Sequence, residues 1–96
     1  MNVDAYIKEY EQMTGRKASK VVRRFAKGLF SIGTRFEDRG REDGAKGLPV
    51  PGADAFTHWA SKVFDNDPET AANMAELMQM AYMHGYKEGG GIIDGN

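Results

Sequence analysis

The chain contains no cysteine among its 96 residues. Disulfides, thiol catalysis and cysteine-based zinc sites are therefore excluded, and the composition fits a reducing compartment. No apolar run approaches the roughly 20 residues that a membrane-spanning helix needs. The chain starts with MNVDAYIKEY, which carries acids where a secretory signal has a continuous apolar stretch. We therefore expect a soluble, cytoplasmic protein without a membrane partner.

The sequence also lacks the motifs that carry common enzyme chemistry. It has no phosphate-binding loop that ends in Gly-Lys-Ser/Thr, no nucleophile elbow and no zinc-protease helix. The two histidines, His58 and His84, show no spacing that we interpret as a metal pair. The acids of residues 37–43 alternate with arginines, which compete with a cation for the carboxylates. We expect no enzyme activity, no cofactor and no metal.

Acidic residues are absent from residues 16–27, which we call the basic segment. In a helix, with about 100° per residue, its cations fall within an arc of about 120° and an apolar stripe lies opposite. A strand would divide the cations between two faces, so the pattern favours a helix with one cationic face. Phe30 falls beside the cations on the same helical wheel, and we predict that it binds a partner together with them. The cations are Arg16, Lys17, Lys20, Arg23, Arg24 and Lys27, and the stripe is Val21, Phe25, Leu29, Ile32 and Phe36.

Apolar residues recur at spacings of three and four in four segments, which predicts an all-α, single-domain bundle. Residues 29–36 also alternate as a strand would, but the stripe begun at Val21 continues through them and favours a helix. Asp67 can cap the last helix, with Pro68 in its first position. The predicted helices are residues 3–14, 18–37, 53–65 and 68–88.

Glycine and proline interrupt the chain at two places. Residues 38–52 read DRGREDGAKGLPVPG, and this composition predicts a long loop over residues 40–52. Three consecutive glycines end the fourth helix, so residues 89–96 are predicted to be a flexible tail. The loop therefore separates residues 1–39, with helices 1 and 2, from residues 53–88, with helices 3 and 4.

The fourth predicted helix carries two methionines away from its small and aromatic stripe. Met80 and Met83 share the opposite arc with polar residues. Exposed methionines make adaptable contacts, so we predict a secondary interaction surface there, which is compatible with a homodimer. The alternative is that this helix is central and buried on all sides.

The net charge of −1 hides a strong asymmetry. The basic segment has no acid, whereas residues 48–96 hold seven acids and two cations. We expect a non-enzymatic regulator or inhibitor that docks its basic helix face on an acidic surface of a larger protein or complex. Its size and charge are compatible with a phage or mobile-element accessory protein that acts on a host machine. Two alternatives stay open: weakly sequence-specific nucleic-acid binding through the same face, and binding of a basic partner by the acidic half.

Overall fold

The computed structural model describes residues 3–18, 20, 23 and 30–92, and this part of the chain contains helices but no strand. The predicted all-α bundle is confirmed. The bounds of the first and last helices match the prediction, and the third ends two residues earlier than predicted. The helices are α1 (Val3–Thr14), α2 (Phe30–Ala45), α3 (Ala53–Val63) and α4 (Pro68–Glu88). Within the described ranges, none of the helices is long and apolar enough to cross a membrane.

Helix α4 lies at the centre of the bundle, and each of the other three helices packs on it. Eleven of its 21 residues are buried. A helix that buries so many residues needs neighbours on several sides, and the three other helices provide them. The start of α4 is fixed as predicted: the side chain of Asp67 accepts a hydrogen bond from the backbone N–H of Thr70 at 3.1 Å, and Pro68 follows the cap.

Aromatic side chains join α2, α3 and α4. Phe56 of α3 is fully buried, and its ring lies 5.5 Å from that of Tyr82 in α4. The ring of Phe36 in α2 lies 6.2 Å from Phe56 and 5.9 Å from Trp59. Burying an aromatic side chain of this kind stabilises a fold by about 1.5–3 kcal/mol. These four rings therefore hold the short helix α3 in place.

Helix α2 ends at Ala45, further along the chain than the predicted end at residue 37. Residues 30–36 are helical, so the strand alternative is wrong for them. Residues 40–45, predicted as the first part of the loop, belong to α2, and that prediction is also wrong. Lys20 and Arg23 are helical, while most of the predicted residues 18–29 lie outside the described part of the chain.

Glycines in α2 explain why this segment is helical and not a loop. A Cβ atom on Gly40 or Gly44 would overlap the backbone carbonyl groups of Tyr82 and Tyr86 in α4. A Cβ atom on Gly85 would in turn overlap the carbonyl group of Glu37. The two backbones can approach this closely only because the side chains are missing. The packing gained offsets the roughly 1 kcal/mol by which each helical glycine is less favourable than alanine.

The loop between α2 and α3 is therefore confined to residues 46–52. Gly47, with φ of +69°, ends α2. Its N–H donates to the carbonyl oxygen of Gly44, and the N–H of Leu48 donates to that of Asp43 at 3.0 Å, which forms a Schellman cap. The hydroxyl of Tyr86 donates to the Leu48 carbonyl oxygen and anchors the loop on α4.

Candidate functional site

The basic segment begins outside any helix. Arg16 and Lys17 follow Gly15, which ends α1 with φ of +71°, and neither is helical. The hydroxyl of Thr14 accepts the N–H of Arg16 at 3.2 Å, and a carboxylate oxygen of Glu11 accepts the N–H of Ala18 at 2.9 Å. These side chains replace helical backbone partners. The prediction that all six cations lie on one helical face is therefore wrong for Arg16 and Lys17.

The four described cations of the basic segment, Arg16, Lys17, Lys20 and Arg23, are all exposed. Arg24 and Lys27 lie outside the described residues, and so does the side chain of Phe30, whose backbone begins α2. The site predicted from the sequence is thus described in its first half. In that half the cations are accessible to solvent and to a partner.

Few acids within the described structure neutralise these cations. Arg23 forms an ion pair with Glu11. The backbone hydrogen bond from Ala18, together with Arg23, lowers the pKa of Glu11. Arg16 places its guanidinium 5.9 Å from the ring centroid of Tyr10. Among the residues that the structure describes, no carboxylate forms an ion pair with Arg16, Lys17 or Lys20.

Two open clefts adjoin the basic segment. One, of about 280 Å³, is lined by Arg16 and Lys17, by the start of α3 and by the first half of α4. The second, of about 300 Å³, is lined by Arg23 and by residues of α1, including Ile7. Both combine a cation with some apolar side-chain surface and with carboxylates, Glu76 in the first cleft and Asp4 and Glu11 in the second. A side chain of a binding partner could therefore enter the cleft next to each cation.

The predicted secondary surface on α4 is not a surface. Met80 and Met83 are only 2% and 6% exposed. Three helices pack on α4, so its buried face is wider than the stripe expected from the sequence and includes both methionines. This correction also removes the reason for expecting a homodimer through that face.

A cluster of ionisable side chains, which we call the polar cluster, lies where α1, α2 and α4 meet. His84 of α4 is at its centre, and its ring packs on that of Tyr6 at a centroid distance of 4.3 Å. The imidazole Nδ1 lies 3.2 Å from Oε1 of Glu9, and Nε2 lies 3.1 Å from Oε1 of Glu88. The Tyr6 hydroxyl donates to Glu37. The members of the cluster are Tyr6, Glu9, Glu37, Arg41, His84 and Glu88.

Arg41 is the one guanidinium of the polar cluster. It contacts Glu37 at 2.9 Å, Glu88 at 3.1 Å and, outside the cluster, Asp38 at 3.0 Å. The hydrogen bond from Arg41 lowers the pKa of Glu88, and the same contact raises the pKa of Arg41. Burial and the hydrogen bond to Glu37 raise the pKa of Tyr6 above its usual range. The cluster thus favours the ionised form of Glu88 and the neutral form of the Tyr6 phenol.

Ligating atoms of Glu37, His84 and Glu88 lie within 4.8 Å of one another, an arrangement that could hold a metal ion. Sequence reasoning missed this set, although His84 and Glu88 have the i,i+4 spacing that places two ligands on one helix face. The other histidine, His58, is exposed on α3 as expected for a surface residue. Comparisons with protein-family models, with curated proteins and with solved structures find no match to this chain.

Proposed function

We propose that this protein is a non-enzymatic binding protein that docks its basic segment on an acidic surface of a larger protein or complex. The observation that supports this proposal is the group of three exposed cations, Arg16, Lys17 and Lys20, without a carboxylate partner among the described residues. Clustered like charges repel one another, and an anionic partner relieves that repulsion. A role as a cytoplasmic regulator or inhibitor, of the kind that phage or mobile elements encode, is part of this proposal.

The clefts beside the basic segment support a protein partner in preference to a uniform anionic surface. Exposed charges alone mainly accelerate association and contribute little affinity. Side chains that enter a pocket contribute most of the binding energy in protein interfaces. Arg16 and Lys17 stand at the edge of a cleft that also exposes Ala53 and Ala72. We therefore expect an acidic partner segment that carries an apolar or aromatic side chain.

The proposal is tested with a charge-reversal variant of the full chain, Lys17→Glu with Lys20→Glu. Both lysines are exposed and form no ion pair among the described residues, so the fold should be kept. Pull-down from host lysate, followed by affinity measurement on the purified partner, should show binding at least about tenfold weaker than that of the unmodified chain. A folded double variant that binds as tightly as the unmodified chain would contradict the proposal.

A matched control carries Lys62→Glu with Lys87→Glu. These lysines are exposed on α3 and α4 and change the net charge by the same amount. The control should keep its affinity for the partner. Equal losses in both double variants would mean that total charge, and not the basic segment, determines binding. Circular dichroism of each variant verifies that the helices are intact.

Nucleic acid is the alternative target of the same cations. Anisotropy titrations with double-stranded DNA and with RNA at low salt distinguish it from a protein target. Affinity that falls steeply with salt, and that disappears in the Lys17→Glu, Lys20→Glu variant, would assign the basic segment to phosphate binding. The absence of binding at low salt would exclude this alternative.

A further inference from the structure

The imidazole of His84 is held between two carboxylates. Glu9 faces Nδ1 at 3.2 Å, and Glu88 faces Nε2 at 3.1 Å. A neutral imidazole carries a single N–H, so it can donate to only one of them. At the ring nitrogen without a hydrogen, the lone pair of the nitrogen would face a lone pair of the carboxylate oxygen. A cation on that side of the ring would satisfy both groups.

We propose that the cation is a divalent transition-metal ion of the Zn²⁺ type, bound by Nε2 of His84 and by the carboxylates of Glu37 and Glu88. Imidazole and carboxylate are ligands that Zn²⁺ accepts. Bond lengths of 2.0–2.1 Å in a tetrahedral site place neighbouring ligand atoms about 3.3 Å apart. The 3.1 Å between Nε2 of His84 and Oε1 of Glu88 is close to this spacing.

The remaining contacts orient the ligands as in known metal sites. A histidine that binds a metal through one nitrogen usually donates its other N–H to a carboxylate, and Glu9 occupies that position. The Tyr6 hydroxyl donates to Oε2 of Glu37, and its ring packs on the imidazole. Three protein ligands leave a fourth position, which is open to solvent because the Glu88 side chain is 45% exposed.

Arg41 competes with the metal for both carboxylates. Its Nη2 atom bridges Glu37 and Glu88, whereas its Nη1 atom contacts Asp38. When the metal binds, Arg41 can release the two glutamates and keep its pair with Asp38. The side chain is 44% exposed, so this movement meets no packed barrier. Metal affinity is therefore set by a balance between Arg41 and the ion.

The test is a Zn²⁺ titration of the chelator-treated full chain by calorimetry, with thermal unfolding measured in parallel. One ion per chain is expected, together with a higher melting temperature, because the ligands come from α2 and α4. His84→Gln removes a ligand and should lower the affinity by at least the roughly 10–100-fold that the loss of a residue supporting a ligand costs, whereas His58→Gln should leave it unchanged. Mg²⁺, which prefers oxygen ligands, should bind far more weakly.

Arg41→Gln is the decisive variant, since it removes the competitor and should tighten Zn²⁺ binding by roughly two- to fivefold. A gain of affinity cannot result from misfolding. Failure of both the unmodified chain and Arg41→Gln to bind Zn²⁺ would overturn the proposal. Binding that His84→Gln leaves intact, or that His58→Gln abolishes, would also overturn it, because the ion would then lie elsewhere.

Discussion

Tyr82 has its hydroxyl group inside the bundle and a charged acceptor beside it. The side chain is fully buried, and its hydroxyl donates to Oδ2 of Asp43 in α2 at 2.6 Å. A hydrogen bond to a charged group contributes more than one between neutral groups. We predict that Tyr82→Phe lowers the free energy of unfolding by about 1–2 kcal/mol, measured by urea denaturation.

Tyr86→Phe provides the comparison for this hydrogen bond. Tyr86 is equally part of the core, but its hydroxyl donates to the neutral backbone carbonyl of Leu48. Its loss should therefore cost less, about 0.5–1 kcal/mol. A Tyr82→Phe variant as stable as the unmodified chain would show that the contact with Asp43 contributes nothing to the fold.

His84 illustrates what could be predicted about single residues from the sequence. Its position relative to Glu88 could be predicted, since the two residues lie four positions apart on one helix. Glu9 and Glu37 are 75 and 47 positions from His84 along the chain, and only the docking of α1 and α2 on α4 brings them near. Exposure of Arg16, Lys17, Lys20 and Arg23 was predicted correctly because charged side chains rarely become buried. The burial of Met80 was not predicted correctly, because the side of α4 that faces solvent depends on how many helices surround it.

At the scale of elements, the close approach of α2 and α4 depends on glycine. A methyl group at Gly85 would overlap the backbone of Glu37, so the two helices would have to separate. Alanine improves helix propensity by up to about 1 kcal/mol, but overpacking costs about 1–3 kcal/mol or more. We predict that Gly85→Ala is destabilising overall, by about 1–2 kcal/mol in denaturant unfolding.

Gly52→Ala is the control for this effect. Gly52 precedes α3, its φ of −69° suits any residue, and a Cβ atom there meets nothing within 4 Å. Its effect on stability should be well below that of Gly85→Ala. If Gly85→Ala were stabilising, the separation of α2 and α4 would have to be larger than the structure gives.

The error over residues 40–45 has the same origin. Glycine has a low helix propensity, and the charged residues between the glycines are also typical of a loop. The information that favours a helix is the repeat of glycine at i,i+4 in both segments, Gly40 with Gly44 and Gly85 with Gly89. Such a repeat matters only when the two glycine faces meet, and tertiary packing then outweighs propensity. The bounds of α1 and α4 were predicted correctly because apolar periodicity and end signals agree there.

At the scale of the whole molecule, the bundle depends on tyrosines that bury a neutral hydroxyl. Tyr6 joins α1 to the polar cluster, and Tyr82 joins α2 to α4. Burial, followed by the hydrogen bonds to Glu37 and Asp43, raises the pKa of both hydroxyls far above the usual value. In the folded chain both hydroxyls therefore stay neutral at pH values where an exposed tyrosine ionises.

The sign of the effect on stability follows from these pKa values. A group whose pKa is higher in the folded than in the unfolded chain contributes stability below its unfolded pKa, which is about 10 for tyrosine. That contribution is lost as the pH rises above about 10, because ionisation favours the unfolded chain.

We predict that the free energy of unfolding falls steeply above about pH 10, and that tyrosinate absorbance appears in the same interval in which the helical circular dichroism signal disappears. The double variant Tyr6→Phe, Tyr82→Phe should be less stable at neutral pH but should lose less stability between about pH 8 and pH 11. Tyrosines that all ionise while the helical signal persists would refute the coupling between these hydroxyls and the fold.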